Sequence, residues 1–64
     1  MFSISIYNCS AVLYKGTAPI AAHAGSSNSI RKWIENTMRE FGKCKVYGWH
    51  RLIVLEEMEE QAAE

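Results

Sequence analysis

Aromatic or cationic side chains occupy every second position between residues 43 and 51. This segment is the clearest candidate for a binding surface. Its odd-numbered positions are Lys43, Lys45, Tyr47, Trp49 and Arg51. Alternate side chains of an extended chain project from one face, so these five are expected to form one surface, with Tyr7 beside them. Interleaved rings and cations bind single-stranded nucleic acid, because rings stack on bases and cations hold phosphates. Trp, Tyr and Arg also dominate the centres of protein–protein interfaces.

A structural role explains the same residues. The rings could cover the edges of a sheet, or a change of register at Gly48 could bury Trp49. No RNP, KH or zinc-knuckle signature accompanies them. We therefore predict that this surface binds a protein, with a nucleic acid as the alternative ligand and a structural role left open.

A second candidate site lies where a Ser/Asn cluster at 26–29 leads into Arg31 and Lys32. Backbone N–H groups at the start of a helix, together with two cations, attract a phosphate or a carboxylate. These cations can equally be present without any ligand, because an exposed cation at a helix start destabilises the helix by only a few tenths of a kcal/mol. The GxxxxGK[ST] phosphate loop is absent.

Metal binding and catalysis have little support in the sequence. Zinc-ligand types occur at Cys9, His23, Cys44 and His50, but no two of them are spaced as in structural zinc sites. The two cysteines are expected to be reduced rather than bridged. The chain contains no Asp, and nothing pairs a nucleophile with a base and an orienting group. We predict no enzyme activity, no catalytic residue, no metal and no cofactor.

The charges separate along the chain although their sum is zero. Residues 1–55 carry seven Lys/Arg against two Glu, a charge of 7 − 2 = +5, and residues 56–64 carry five Glu. The acidic segment has two interpretations: it keeps a small domain soluble, or it folds over the basic surface and competes with anionic ligands.

Hydrophobic periodicity predicts the elements that position these residues. Strict alternation over 2–7 indicates a strand with Phe2, Ile4 and Ile6 inward, and 12–15 returns as its antiparallel partner. Glycines, Pro19 and the Ser/Asn cluster predict a loop over 16–29, with a short helical turn at 21–24. The helix that follows buries a stripe of apolar residues at helical spacing, namely Ile30, Trp33, Ile34, Met38 and Phe41. Ser27 to Ser29 are its candidate N-caps and Gly42 its C-terminal left-handed residue.

The carboxyl-terminal part is predicted as a strand over 44–55, divided or bent at Gly48, and then a polar end. The fold class is α+β, a ββαβ domain over 1–56, in which one helix packs on one face of an antiparallel sheet. Residues 57–64 form an acidic tail, frayed or disordered.

Size and composition restrict the function further. The longest fully apolar run is 52–55, far short of the roughly 20 residues that span a membrane, and no signal-peptide pattern begins the chain. We expect a cytoplasmic, non-enzymatic protein-binding regulator or inhibitor, of a size typical of phage-encoded proteins. Homodimerisation through the exposed sheet face or a free strand edge is a further expectation, because a 64-residue chain gains core by pairing.

Overall fold

A four-stranded mixed sheet and two helices make up this small α+β protein. The computed structural model describes residues 1–62. In chain order the elements are β1 (Phe2–Ile6), β2 (Ser10–Lys15), β3 (Ala18–Ala24), α1 (Ser27–Phe41), β4 (Lys45–Tyr47) and α2 (Trp49–Ala62). No helix in this part of the chain is both long and apolar enough to cross a membrane.

The strands lie side by side in the order β3-β2-β1-β4. β2 is antiparallel to both of its neighbours, whereas β4 pairs parallel with β1. The prediction of an antiparallel sheet is therefore wrong for the last strand. Because α1 carries the chain back along the sheet after β3, β4 must run in the same direction as β1.

The core lies between one face of the sheet and the two helices. Ile4 and Ile6 of β1 pair with Leu13 and Ala11 of β2, and all four are buried. The helices complete this cluster with Ile30, Ile34 and Leu52. The predicted first strand, second strand and buried helical stripe are thus confirmed. Of the stripe, Phe41 is 39% exposed, and its ring packs on that of Phe2 with centroids 5.1 Å apart.

The N-cap of helix α1 lies one residue before the predicted caps, Ser27 to Ser29. Ser26 is the N-cap, and its hydroxyl accepts a hydrogen bond from the backbone N–H of Ser29 at 3.2 Å. Gly42 ends the helix with a φ of 88°, as predicted, and its N–H donates to the carbonyl of Met38. Left-handed backbone at this position favours glycine because it lacks a Cβ.

The predicted loop over 16–29 contains the strand β3, and residues 21–24 are extended rather than helical. Pro19 excludes a central strand, but β3 lies at the edge of the sheet, where a missing N–H is tolerated. Alanine has weak strand propensity, so the alanines of β3 give no strand signal in the sequence.

The predicted strand over 44–55 is present only over Lys45–Tyr47, and the predicted tail is wrong for the described residues. β4 ends at Tyr47, Gly48 adopts a φ of 89°, and α2 continues from Trp49 to Ala62. An added Cβ at Gly48 would lie 2.6 Å from the carbonyl oxygen of Ile6, so this tight passage from strand to helix requires glycine. Leu52 is fully buried and anchors α2 on the core. The last two residues of the predicted tail, 63 and 64, lie outside the described residues.

Both helices pack on the same face of the sheet and leave the other face without a helix over it. We call this second surface the open face. Its members are paired across the strands (Ser3 with Tyr14, Ser5 with Val12) and extend onto β4 (Ser3 with Lys45, Ser5 with Tyr47). The predicted two-layer form, with helix on one face of the sheet, is present with two helices in place of one.

Candidate functional site

Three tyrosines gather on the open face. Tyr14 belongs to β2, Tyr47 to β4, and Tyr7 directly follows β1. The hydroxyl oxygens of Tyr7 and Tyr14 lie 3.1 Å apart. This hydrogen bond raises the pKa of Tyr14 above its ordinary value of 10.0, so Tyr14 is a neutral phenol at physiological pH. Tyr47 is 52% exposed and Tyr7 is 41% exposed, so both rings are accessible to a partner.

Arg51 reaches the rim of the open face from the first turn of α2. Its guanidinium carbon lies 5.8 Å from the centroid of the Tyr7 ring, and Nη1 donates to the carbonyl oxygen of Ile6 at 3.3 Å. Ring and backbone together hold the cation beside the end of β1. Its side chain therefore presents positive charge next to two accessible phenols.

A pocket of 210 Å³ opens where the parallel strands β1 and β4 end. Its lining includes Ser5, Tyr7, Tyr47, His50 and Arg51. In sheets with parallel strands, the crevice beyond the carboxyl ends of the strands is a recurrent ligand position. A guanidinium with phenol and serine hydroxyls can bind a carboxylate by hydrogen bonds while the rings contact apolar groups around it.

The structure redistributes the eight binding residues that the sequence assigns to two sites, the surface of residues 43–51 with Tyr7 and the helix start at Arg31 and Lys32. Tyr7, Tyr47, Lys45 and Arg51 lie on the open face or its rim, although Arg51 arrives from a helix rather than from a strand. The remaining four lie elsewhere. Lys43 is exposed in the segment before β4, Lys32 is exposed on α1, and Trp49 lies beside Arg31, whose guanidinium carbon is 5.9 Å from the indole ring.

Arg31 belongs to a second site, which we call the junction: Ser27, Arg31, Glu56 and Glu59, where α2 meets the start of α1. The backbone N–H of Ser27 donates to both carboxylate oxygens of Glu59, each at 3.0 Å, and its hydroxyl donates to the same group. Arg31 forms an ion pair with Glu56. The hydroxyl and then the N–H of Ser27 lower the pKa of Glu59, and the hydrogen bond to Glu56 raises that of Arg31.

An anion does bind at the start of α1, and it is the protein's own carboxylate. A negative charge at a helix N-terminus is favoured by the helix dipole and by the unpaired N–H groups there. The acidic segment thus meets the cation at the helix start rather than the open face, which corrects the predicted position of the internal competitor. Sequence reasoning missed Glu56 and Glu59, although their spacing from Leu52 (i+4 and i+7) is helical and was the available signal.

The four cysteine and histidine residues considered as zinc ligands do not form a cluster. Cys9 is exposed and Cys44 buried, and both are free thiols. The Nε2 atom of His23 lies 2.6 Å from the hydroxyl of Ser29, and the His23 ring stacks on Trp33. Within residues 1–62, no group of three or more His, Cys, Asp or Glu side chains is arranged to hold a metal ion.

Comparison with known proteins adds no family to this geometry. The chain matches no protein-family model, no curated protein and no solved structure. A function has to be inferred from the arrangement of the residues themselves.

Proposed function

We propose that this protein is a non-enzymatic protein-binding module, a small regulator or inhibitor, that binds its partner through the open face. The supporting observation is that both helices pack on the other side of the sheet while three tyrosines and Arg51 remain at this one. Tyrosine and arginine are among the residues that contribute most to binding at protein interfaces. Tyrosine offers a large contact area with few rotatable bonds, and arginine pairs with a carboxylate through two hydrogen bonds.

The charge on this face indicates the chemistry of the partner. Lys45 and Arg51 are its cations, and every acidic residue of the described chain lies on α1 or α2. A carboxylate of the partner can therefore enter the 210 Å³ pocket and pair with Arg51 without meeting a like charge on the sheet. We infer a partner surface that is apolar with an acidic side chain near its centre.

A nucleic acid is the less favoured ligand for the same face. Its phosphate backbone is bound by several cations at once, and each contact contributes to a steep salt dependence. The open face offers two cations, Lys45 and Arg51, and the ion pair with Glu56 engages Arg31 on the opposite side of the molecule. Two cations surrounded by phenols match a protein interface better than a phosphate backbone.

The test uses a double variant of exposed β4 residues, Lys45→Glu with Tyr47→Ala. Trp49→Ala serves as the matched control, because Trp49 is also exposed, at 41%, and lies off the open face beside Arg31. A partner captured from the native host and then purified should bind the wild type and the control alike. Its affinity for the double variant should fall by about tenfold or more, measured by calorimetry.

Two outcomes would overturn the proposal. One is a purified partner that binds the double variant as tightly as the wild type while circular dichroism shows both folded. The other is an oligonucleotide that shifts the amide resonances of Ser3, Ser5 and Tyr47 at low salt and is released steeply as salt rises. That second result would assign the face to single-stranded nucleic acid.

A further inference from the structure

We infer that β3 is a self-association edge, through which two copies of this protein pair antiparallel and join their sheets into one of eight strands. β3 and β4 are the two edges of the sheet. An edge strand presents unpaired backbone N–H and C=O groups, which are a template for another strand. β3, with seven residues, is the long edge, and β4 has three.

The composition of β3 lacks the features that prevent edge pairing. Its sequence is Ala-Pro-Ile-Ala-Ala-His-Ala, with no Lys, Arg, Asp or Glu, and every residue except the half-buried His23 is exposed. Proteins that keep an edge unpaired place charges, especially lysine, along it. Two features oppose pairing, Pro19 and the register shift beside it, where β2 passes from Leu13 to Tyr14. Both lie toward one end of the strand, so Ile20 to Ala24 is the segment left for pairing.

A second copy is the occupant that matches this edge. A strand without charge gains nothing from a charged partner strand, whose ions would lose water without finding a counter-charge. β3 itself is an uncharged strand of small side chains. Antiparallel pairing about a two-fold axis at Ala22 places Ile20 opposite Ala24 of the other copy, and the same five residues form both sides of the contact.

The adjacent helix adds an aromatic contact to the same edge. The His23 ring stacks on Trp33 of α1 with centroids 5.9 Å apart and planes 11° from parallel. His23 is one residue from the proposed axis, so the two half-buried Trp33 rings approach each other above the new strand pair. Tryptophan is prominent among residues that anchor interfaces.

This edge is also separate from the proposed binding face. In the strand order β3-β2-β1-β4, the pocket at Tyr47 and Arg51 lies at the other end of the sheet. Pairing through β3 therefore leaves that pocket open in both copies, and the dimer would present two binding faces. The self-association proposal stands or fails independently of the partner proposal.

Sedimentation equilibrium on the full chain tests this inference. The wild type should approach twice the 7.3 kDa of one chain as concentration rises. Ala22→Lys sets two lysines opposite each other at the axis and should raise the dimer dissociation constant by about tenfold or more. Ala18→Lys, in the same exposed strand but outside Ile20 to Ala24, is the matched control and should leave that constant unchanged.

Two further measurements keep the test decisive if Ala22→Lys does not fold. In a Trp49→Phe variant, where Trp33 is the one remaining tryptophan, the emission should shift to shorter wavelength as the chain dimerises. A mixture of labelled and unlabelled chains should give intermolecular contacts between Ile20 and Ala24 by nuclear magnetic resonance.

Three results would overturn the inference. The first is a wild type that stays monomeric into the millimolar range. This holds also if β3 then binds a strand of another protein. The second is a folded Ala22→Lys variant that dimerises like the wild type. The third is loss of the dimer in Val54→Lys. Val54 is half exposed on α2, so that loss would assign the contact to α2 instead of β3.

Discussion

The junction and the open face both carry cations that the sequence predicts as binding residues, yet the structure gives them opposite surroundings. At the junction, Glu56 pairs with Arg31, and Glu59 accepts hydrogen bonds from Ser27. On the open face, Arg51 is held by the ring of Tyr7 and a backbone carbonyl. A carboxylate of the same chain neutralises the cation at the junction, whereas the ring and the carbonyl beside Arg51 leave its charge without a counter-ion from the described chain.

This difference changes the meaning of the charge separation. Along the chain, +5 is followed by −5. In space, the strands contain Lys15 and Lys45 and no acidic residue, while all Glu residues of the described chain lie on the two helices. The separation is therefore between two layers of the molecule, and the helix layer neutralises part of itself.

The largest expected effect comes from Gly48, the residue that connects the open face to α2. In Gly48→Ala, the new Cβ would meet the Ile6 carbonyl oxygen at 2.6 Å, at a φ of 89°. We expect the free energy of unfolding to fall by about 2 to 4 kcal/mol, measured by urea denaturation. Both regions should be disturbed, because Tyr47 directly precedes this residue and α2, which carries Glu56 and Glu59 of the junction, directly follows it.

Gly16→Ala is the matched control for that substitution. Gly16 also has a positive φ, of 63°, but a Cβ there would meet nothing within 4 Å. Its cost should be limited to backbone strain, about 1 kcal/mol. Equal losses in the two variants would contradict the tight passage described at Gly48.

An intermediate effect is expected from Glu59→Gln, which removes charge from the junction alone. The pKa of Glu59 is lower in the folded protein than its ordinary value of 4.5, because Ser27 hydrogen-bonds the ionised form. Its stabilising contribution is therefore present above pH 4.5 and is lost as the pH falls through the lowered folded value. The variant should be less stable at neutral pH and should lose stability less steeply in acid.

Urea denaturation at a series of pH values measures this effect. Glu60→Gln is the control, since Glu60 follows Glu59 on α2 and lines the surface cleft at the junction together with it. The control should keep the wild-type acid dependence, and amide resonances of the open face should not move in either variant. An unchanged acid dependence in Glu59→Gln would show that the contact with Ser27 does not stabilise the ionised carboxylate.

The smallest effect is expected from Tyr7→Phe, which alters the open face alone. Without the Tyr7 hydroxyl, the raised pKa of Tyr14 should return toward 10.0. The ring-carbon resonance of Tyr14, recorded over a pH titration, measures this change. A raised folded pKa contributes stability below pH 10.0 that is lost as pH rises through the folded value, so the variant should lose stability less steeply in alkali. Tyr47→Phe is the control, and an equal change there would show that the 3.1 Å contact does not cause the shift.

Local patterns were sufficient for three elements. β1 shows strict alternation, β2 is a short apolar run that follows a turn, and α1 combines a helical apolar stripe with a serine cap and Gly42. In each of them the residues that enter the core are also those whose spacing indicates the element. The single-face packing of α1 followed from those patterns. The open position of Tyr47 followed from the alternation over 44–55, which applies as far as the end of β4.

The elements that were predicted wrongly carry ambiguous patterns. Residues 44–55 alternate like a strand, but Leu52, Glu56 and Glu59 also repeat at helical spacing, and the left-handed backbone at Gly48 selects the helix. β3 has no alternation to detect, because an alanine-rich edge strand buries little on either face. In both cases a contact made elsewhere in the chain decides the conformation.

The sequence by itself determined the amphipathic elements, the absence of Asp and the presence of rings and cations near residues 43–51, because composition and spacing are local properties. Only the tertiary structure decided which cations have a carboxylate beside them. It brought Glu56 within reach of Arg31, at a separation of 25 residues, and Arg51 over Tyr7, at a separation of 44. Such distances depend on the sheet order and the direction of α2, and no local pattern encodes them.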